Sequence, residues 1–247
     1  PSSVIASSDK LKFIDVAFTG TDHVGLDAAR EKGISVSNAS GYSNEAVSEL
    51  VLGMVLSFMR NITQVEARCR EGKDKTGLVG CEVKGKTVGI IGLGKIGKRT
   101  AEIFNCLGAT VLASSRTKHS DTPSYITEVE KEELLRESDI VVLHCPLTPE
   151  TRGLIGKKEL EMMKKSAILV NVARGPVVVE EDLVEALKEG EIAGALVDVF
   201  SAEPPLALST PILSAPNTLL TPHVAFATKE SMSLRAKIVF ENLRAWM

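Results

Sequence analysis

A chain of 247 residues is long enough for one large or two ordinary domains. With 44% hydrophobic and 25% charged residues its composition is that of a globular protein, which excludes a disordered chain. A formal net charge of −3 gives no electrostatic reason to expect nucleic acid or an anionic membrane surface as a partner.

Periodicity and breaker residues predict strands alternating with helices. Leu11–Val16 is a strand candidate, followed by a short helix at Leu26–Glu31 and a strand at Ile34–Ser37. One long helix is expected from Asn44, its candidate cap, to about Arg70, because apolar residues at 47, 50, 51, 54, 55, 58, 62 and 65 recur at helical spacing. The apolar part, Val47 to Met59, is broken by Ser48, Glu49, Gly53 and Ser57 and is too short to span a bilayer. Gly72 to Gly80 is polar and reads as a surface loop. Lys86–Ile91 reads as a buried strand, then a helix from about Lys95 to Leu107 ended by Gly108, then a strand at Thr110–Ala113. A helix at Glu130–Arg136 precedes a strand at Asp139–His144 that stops at Cys145-Pro146. Lys157–Met163 (helix), Ala167–Asn171 (strand), Glu180–Lys188 (helix, closed by Gly190) and Gly194–Asp198 (strand) follow. Thr218–Leu220 is short and extended, and the last helix covers Lys229–Trp246. Near-continuous apolar strands between helices indicate an α/β fold, a doubly wound parallel sheet covered on both faces.

The most informative motif is Gly92-Leu-Gly94-Lys95-Ile96-Gly97, which turns directly from an apolar strand into an amphipathic helix. In a Rossmann unit such glycines permit a tight turn, close approach of a pyrophosphate and close helix–strand packing, while the helix N-terminus faces the phosphates. A carboxylate about 20 residues on normally binds the ribose 2′-hydroxyl, and an Arg there suits a 2′-phosphate instead. This chain reads Ser114-Ser115-Arg116 at that place. The expected cofactor is therefore NADP in preference to NAD, with Arg116 as a plain surface cation the alternative.

In open parallel sheets ligands bind at the carboxyl ends of the strands. Three polar side chains fall there, each after a different extended segment: Arg174, Glu203 and His223. The set suits hydride transfer to a 2-oxo acid. Arg offers a carboxylate a planar bidentate partner, His donates a proton near neutral pH, and a carboxylate beside the imidazole fixes its tautomer. A reduced nicotinamide supplies the hydride. Each residue also has a plainer reading: Arg174 as an ion-pair partner, Glu203 as a loop carboxylate, His223 as a loop histidine. Cys69, Cys81, Cys106 and Cys145 have no C-x-x-C spacing and read as small apolar residues or surface thiols, with no metal site expected. Pro1-Ser2-Ser3 opens without a basic region and long apolar core, so the expected compartment is the cytoplasm.

At these residues the chain resembles the D-isomer-specific 2-hydroxyacid dehydrogenases, a family that includes D-lactate, phosphoglycerate, glyoxylate/hydroxypyruvate and hydroxyphenylpyruvate enzymes. The matches run in order: Gly20–Val24, Gly41–Glu49, the glycine fingerprint, His144–Thr148, Asn171–Pro176, Asp198–Pro205 and Thr221–Ala225. The resemblance implies Arg174 as the substrate-carboxylate clamp, Glu203 as the partner of the histidine and His223 as the acid/base. It implies backbone amides near Thr19-Gly20 on the same carboxylate and Asp198 against the nicotinamide carboxamide. Cys145 and Pro146 would line the adenosine side, Val172, Ala173 and Arg174 the nicotinamide side, and Tyr42 would face the substrate. It also implies a homodimer through the Asn44–Arg70 region, which analytical ultracentrifugation decides.

Domain boundaries are expected at residues 1–43 with 225–247 for a partial, flavodoxin-like substrate domain and 44–224 for the dinucleotide-binding domain. Family members usually begin with two further βα units, on the order of 60 residues, and continue beyond Trp246-Met247, so a partial chain is expected. The Ser115–Tyr125 stretch and the junction after Pro1–Ser3 are further places where residues would be missing. The reading from another class is a dinucleotide-sensing binding or regulatory protein on the same fold. Phosphite or formate as substrate is disfavoured, because Tyr42 and Phe226 suggest room for an organic substituent.

Overall fold

The structure, a computed structural model, describes residues 1–117 and 121–247. It divides into two compact units, Pro1–Ala46 with Phe226–Met247, and Val47–Ala225. In chain order the first unit contributes α1 (Ser2–Ala6), β1 (Phe13–Val16), α2 (Leu26–Glu31) and β2 (Ser35–Asn38), and α3 (Asn44–Met59) leads out of it. The second contains α4 (Ile62–Arg70), β3 (Thr87–Ile91), α5 (Lys95–Cys106), β4 (Thr110–Ser114), β5 (Ile126–Glu128), α6 (Lys131–Glu137), β6 (Ile140–Leu143), α7 (Lys157–Met162), β7 (Ile168–Asn171), α8 (Glu180–Glu189), β8 (Gly194–Val197) and β9 (Thr218–Leu220). The chain then returns to the first unit as α9 (Lys229–Trp246).

The second unit is built on a seven-stranded parallel sheet in the order β5-β4-β3-β6-β7-β8-β9. Side chains alternate across each strand, and the two apolar clusters follow that alternation. Val88, Ile90, Ile140, Val142, Ile168, Val170 and Leu196 face one cluster with Phe104 of α5. Ile91, Val141, Leu143, Leu169, Ala195 and Val197 face the other with Leu183 and Leu187 of α8. Burial on both faces is why these strands read as continuous apolar runs. The strand order reverses between β3 and β6, the switch point at which doubly wound sheets open a crevice.

In the first unit β1 and β2 pair in parallel, with Ile14 opposite Val36. Ile5, Ala29 and Ile34 form its small core. Helix α9 is joined to these strands by Phe13 stacked on Trp246 at 5.0 Å and by the Asn242 Nδ2 group, which donates to Asp15 Oδ1 (3.2 Å) and Asn38 O (3.0 Å).

Two expectations require correction, and two short elements were not expected. The helix expected over Asn44–Arg70 is two helices bent by 59°, because Asn61 takes a left-handed conformation at φ 51. Asparagine tolerates that region better than most residues. Asn44 is the first residue of α3 rather than a cap in front of it, and α4 buries none of its residues. Helix α1 and strand β5, of five and three residues, are too short to show a period in the sequence. Strand β5 lies directly beyond the Ser115–Tyr125 stretch, of which residues 118–120 fall outside the described residues. No single described helix is long and apolar enough to cross a membrane, and α3 with α4 pass that test only as a bent pair.

Phe104 is 0% exposed between α5 and the sheet. Phe104→Ala is expected to cost about 3–5 kcal/mol by cavity formation, measured by urea unfolding; a loss below about 1 kcal/mol would contradict the packing described.

Candidate active site

The fingerprint turn is set by close contacts. Gly92 has φ 103, and a Cβ there would lie 2.6 Å from the Cys145 amide nitrogen. A Cβ on Gly97 would lie 2.1 Å from the Gly92 carbonyl oxygen, so α5 approaches the turn as only glycine allows. Gly94 differs, because a Cβ there meets nothing within 4 Å. Nothing inside the protein demands glycine at 94, whereas a phosphate approaching the backbone would. Gly94 caps α5 without any side-chain hydrogen bond, so the first-turn N–H groups of a 12-residue helix are available to an anion. These residues fit a dinucleotide pyrophosphate. Helix α5 closes at Gly108 (φ 82), with Ala109 N donating to Phe104 O and Gly108 N to Asn105 O.

The turn is joined to both neighbouring strands. Gly92 N donates to Ser114 O (2.9 Å) and His144 N to Ile91 O (2.8 Å). Ser115 and Arg116 therefore follow directly from the strand that borders the turn. Ser115 Oγ donates to Thr117 O (2.6 Å), and Arg116 is exposed. The Glu150 carboxyl is held below its usual range by a hydrogen bond from Thr148 and, to a lesser degree, by the Arg116 charge. Cys145 is buried and its thiol is pushed up to about 11, which makes it apolar lining. Pro146 is exposed, and its carbonyl accepts from Thr151 Oγ1 at 2.6 Å.

Arg174, Glu203 and His223 follow three strands that are neighbours in the sheet, β7, β8 and β9. Their register aligns Asn171 with Val197 and Val197 with Leu220, so the three chains leave the sheet at one edge. His223 Nδ1 lies 2.8 Å from Glu203 Oε2. Arg174 is partly buried and donates from Nη1 to Ala173 O at 2.7 Å, while Val172 and Ala173 are buried beside it.

Two groups that hold this edge in place were not anticipated in these roles. Asn171, 2% exposed, accepts from Ala173 N and donates to Arg174 O, both at 3.1 Å, which pins the loop carrying Arg174. Gly175 follows because a Cβ there would sit 1.9 Å from the Phe200 carbonyl carbon. Asp198 is fully buried, and its carboxylate accepts from Thr221 Oγ1 (2.6 Å), Val224 N (2.9 Å) and Ala225 N (3.0 Å). Its carbonyl accepts from His223 N at 2.8 Å. The visible signals in the sequence were an Asn three residues before the Arg and an Asp closing an apolar strand.

Tyr42 is buried, with its ring 6.5 Å from that of Phe226 in the first unit. Thr19 O accepts from Asn38 Nδ2 at 2.8 Å, and the Thr19 and Gly20 N–H groups have no partner among the described residues. Lys95 is exposed and Ile96 half-buried in the first turn of α5. Among the described residues no cluster of three or more His, Cys, Asp or Glu side chains could hold a metal.

The family model for the D-isomer specific 2-hydroxyacid dehydrogenase NAD binding domain matches residues 52–225. The chain belongs to this family. It is 38% identical over 247 residues to a D-3-phosphoglycerate dehydrogenase of Methanocaldococcus jannaschii, covering 98% of the chain but only 46% of that enzyme. It is 36% identical over 258 residues to a hydroxypyruvate reductase of Blautia hydrogenotrophica, covering 100% of the chain and 79% of the relative. Among solved structures, an acyclic imino acid reductase (Bsp5) in complex with NADPH and D-Arg superposes with a TM-score of 0.93 at 30% identity. That match covers 100% of this chain and 79% of the reductase.

Gly94→Ala separates fold from ligand. Because the added methyl meets no protein atom, stability is expected to change by no more than about 0.5 kcal/mol. Dinucleotide affinity, read by NAD(P)H fluorescence titration, is expected to fall at least about tenfold, or ~1.4 kcal/mol. Unchanged affinity would remove the turn from the cofactor site.

Proposed function

We propose that the protein containing this chain is an NAD(P)-dependent D-2-hydroxyacid dehydrogenase that reduces a small 2-oxo acid, with glyoxylate, hydroxypyruvate and lactate-like acids as the class. The observation that carries the reading is the 2.8 Å contact between His223 Nδ1 and Glu203 Oε2, at the same sheet edge as Arg174. When bound, the reduced nicotinamide supplies a hydride to C2 of the substrate. The chain's own residues do the rest. Arg174 holds the substrate carboxylate, helped by the Thr19 and Gly20 amides. Glu203 keeps the Nδ1 proton of His223 directed toward itself, which leaves Nε2 as the atom that protonates the carbonyl oxygen. One hydride and one proton convert the ketone to the alcohol. Asp198 holds the His223 backbone and lies beside the expected carboxamide position. Tyr42 bounds the substrate side.

The dinucleotide is placed along Gly92, Gly94, Lys95, Ile96 and Gly97, with Cys145 and Pro146 toward adenosine and Val172 and Ala173 toward the nicotinamide. Ser115 and the exposed Arg116 favour NADP, since no carboxylate stands there to meet a free 2′-hydroxyl. The second unit is read as the cofactor domain and the first as part of a substrate domain.

Two measurements test this. His223→Ala in the intact protein is expected to lower kcat on glyoxylate or hydroxypyruvate by about 10²–10⁴-fold; near-normal turnover would remove the assigned role. A protein that binds the dinucleotide but reduces no 2-oxo acid would be the sensor instead. For the cofactor, Arg116→Ala is expected to lower kcat/KM with NADPH by about tenfold or more, the loss of a charge-assisted contact, and to affect NADH little. A clear NADH preference in the unmodified protein would overturn the assignment.

A further inference from the structure

We propose that Thr100, held by Ser48, fixes the ring proton of His144 on Nε2, and that the bare Nδ1 this leaves accepts a hydrogen bond from an N–H or O–H group of the bound dinucleotide. This rests on the cofactor reading above.

Ser48, Ile96, Thr100 and His144 all lie in the second unit. Ile96 O, in the first turn of α5, can only accept, so Ser48 Oγ gives it its one proton (3.4 Å). Ser48 Oγ then accepts from Thr100 Oγ1 (3.1 Å), which uses the one proton of that hydroxyl. His144 Nε2, 2.9 Å from Thr100 Oγ1, is left as the donor. Ser48 and Thr100 are both 0% exposed, so water does not compete for these protons. No carboxylate pairs with His144 among the described residues, and desolvation pushes its imidazole down to about 3. The ring is therefore neutral. A neutral imidazole with its proton on Nε2 carries an acceptor lone pair on Nδ1.

That nitrogen has no partner among the described residues. It is not one of the buried polar atoms left without a partner, Asp15 Oδ2 and Ser138 Oγ, so it stays open on a half-buried ring. Its place in the fold points to the ligand. His144 N donates to Ile91 O (2.8 Å), and a Cβ on Gly92 would lie 2.7 Å from the His144 carbonyl carbon, so the histidine abuts the glycine turn. It follows β6, at the switch point where β3 and β6 diverge and where ligands of such sheets bind. A dinucleotide brings two kinds of polar group there. Its phosphate oxygens only accept and suit the free N–H groups of α5, whereas its ribose hydroxyls, adenine amine and carboxamide amine donate. An acceptor fixed beside the turn has a use only for the second kind.

Variants of the intact protein separate this from a purely structural tie. His144→Gln keeps a donor near the Nε2 position, toward Thr100, and lacks Nδ1. It is expected to weaken NAD(P)H binding about 3–10-fold by fluorescence titration, the worth of one hydrogen bond, at an unchanged thermal midpoint. His144→Asn keeps an acceptor near the Nδ1 position and gives up Thr100; it is expected to bind nearly as well as the unmodified protein although its midpoint falls. The reverse order of affinities would overturn the proposal. Thr100→Val, which releases the ring proton, is expected to weaken binding as His144→Gln does, and Thr100→Ser to restore it. Nitrogen-15 NMR of the unmodified protein reads the proton itself: Nε2 protonated, Nδ1 bare, and the Nδ1 signal shifted by NAD(P)H. A proton on Nδ1, or an Nδ1 signal unmoved by saturating NAD(P)H, overturns the proposal whether or not the variants fold. No NAD(P)H binding by the unmodified protein would overturn the cofactor reading and this proposal with it. AMP in competition with NAD(P)H locates the donor. A His144→Gln loss shared by AMP places it on the adenosine half, and a loss confined to the whole dinucleotide places it on the nicotinamide half.

Discussion

The buried carboxylate of Asp198 is the constraint on which the carboxyl edge of β7, β8 and β9 depends. A charge removed from water is costly unless hydrogen bonds replace its hydration. Here a hydroxyl and two backbone amides replace it, and all three come from the segment 221–225. The same residue's carbonyl accepts the His223 N–H. The segment cannot shift without stranding a charge, so the carboxylate acts as a template for the backbone. His223 needs one, because its φ of 55 is a conformation that disfavours side chains with a Cβ by about 1–3 kcal/mol. Strain at the histidine and burial at the aspartate are two sides of one arrangement.

The sheet sets the larger geometry. Because β7, β8 and β9 are parallel neighbours in near-level register, residues just beyond their carboxyl ends emerge together. Arg174, Glu203 and His223 are separated by tens of residues in sequence, yet each lies only a few residues past one of these ends. The fingerprint sits at the switch point, where β3 and β6 diverge to opposite halves of the sheet. Its close contacts there are backbone against backbone, Gly92 against Cys145 and Gly97 against Gly92. Such contacts leave no side chain between the start of α5 and the glycine turn.

What the sequence made legible follows from periodicity and from local motifs. Every strand of the central sheet except β5 was visible, since strands buried on both faces must be apolar throughout. The cofactor turn and the three polar residues at strand ends were also visible, because a doubly wound sheet states where such residues lead. The break at Asn61 was not. Apolar residues keep their spacing across it, and Ile62 and Val65 satisfy the period of α3 although α4 buries neither. One left-handed residue ends a helix without disturbing the pattern on either side. The hydrogen bonds that Asp198 accepts from segment 221–225 were not visible either, because long-range folding fixes that network.

Two histidines at the carboxyl ends of strands show how the fold separates structure from chemistry. His144 follows β6, and desolvation pushes its imidazole down to about 3. Its Nε2 lies 2.9 Å from Thr100 Oγ1, which donates to Ser48 Oγ at 3.1 Å, and Ser48 Oγ donates in turn to Ile96 O at 3.4 Å. Since the single hydroxyl proton of Thr100 is committed to Ser48, the neutral His144 ring donates from Nε2. The chain of hydrogen bonds then runs in one direction into the first turn of α5. A ring held neutral in this way ties the end of β6 to α5 through Thr100. His223 has different surroundings, with Glu203 Oε2 2.8 Å from its Nδ1 and a partly exposed ring. The histidine after β9 thus faces a carboxylate, while the one after β6 is tied into the helix that follows the glycine turn.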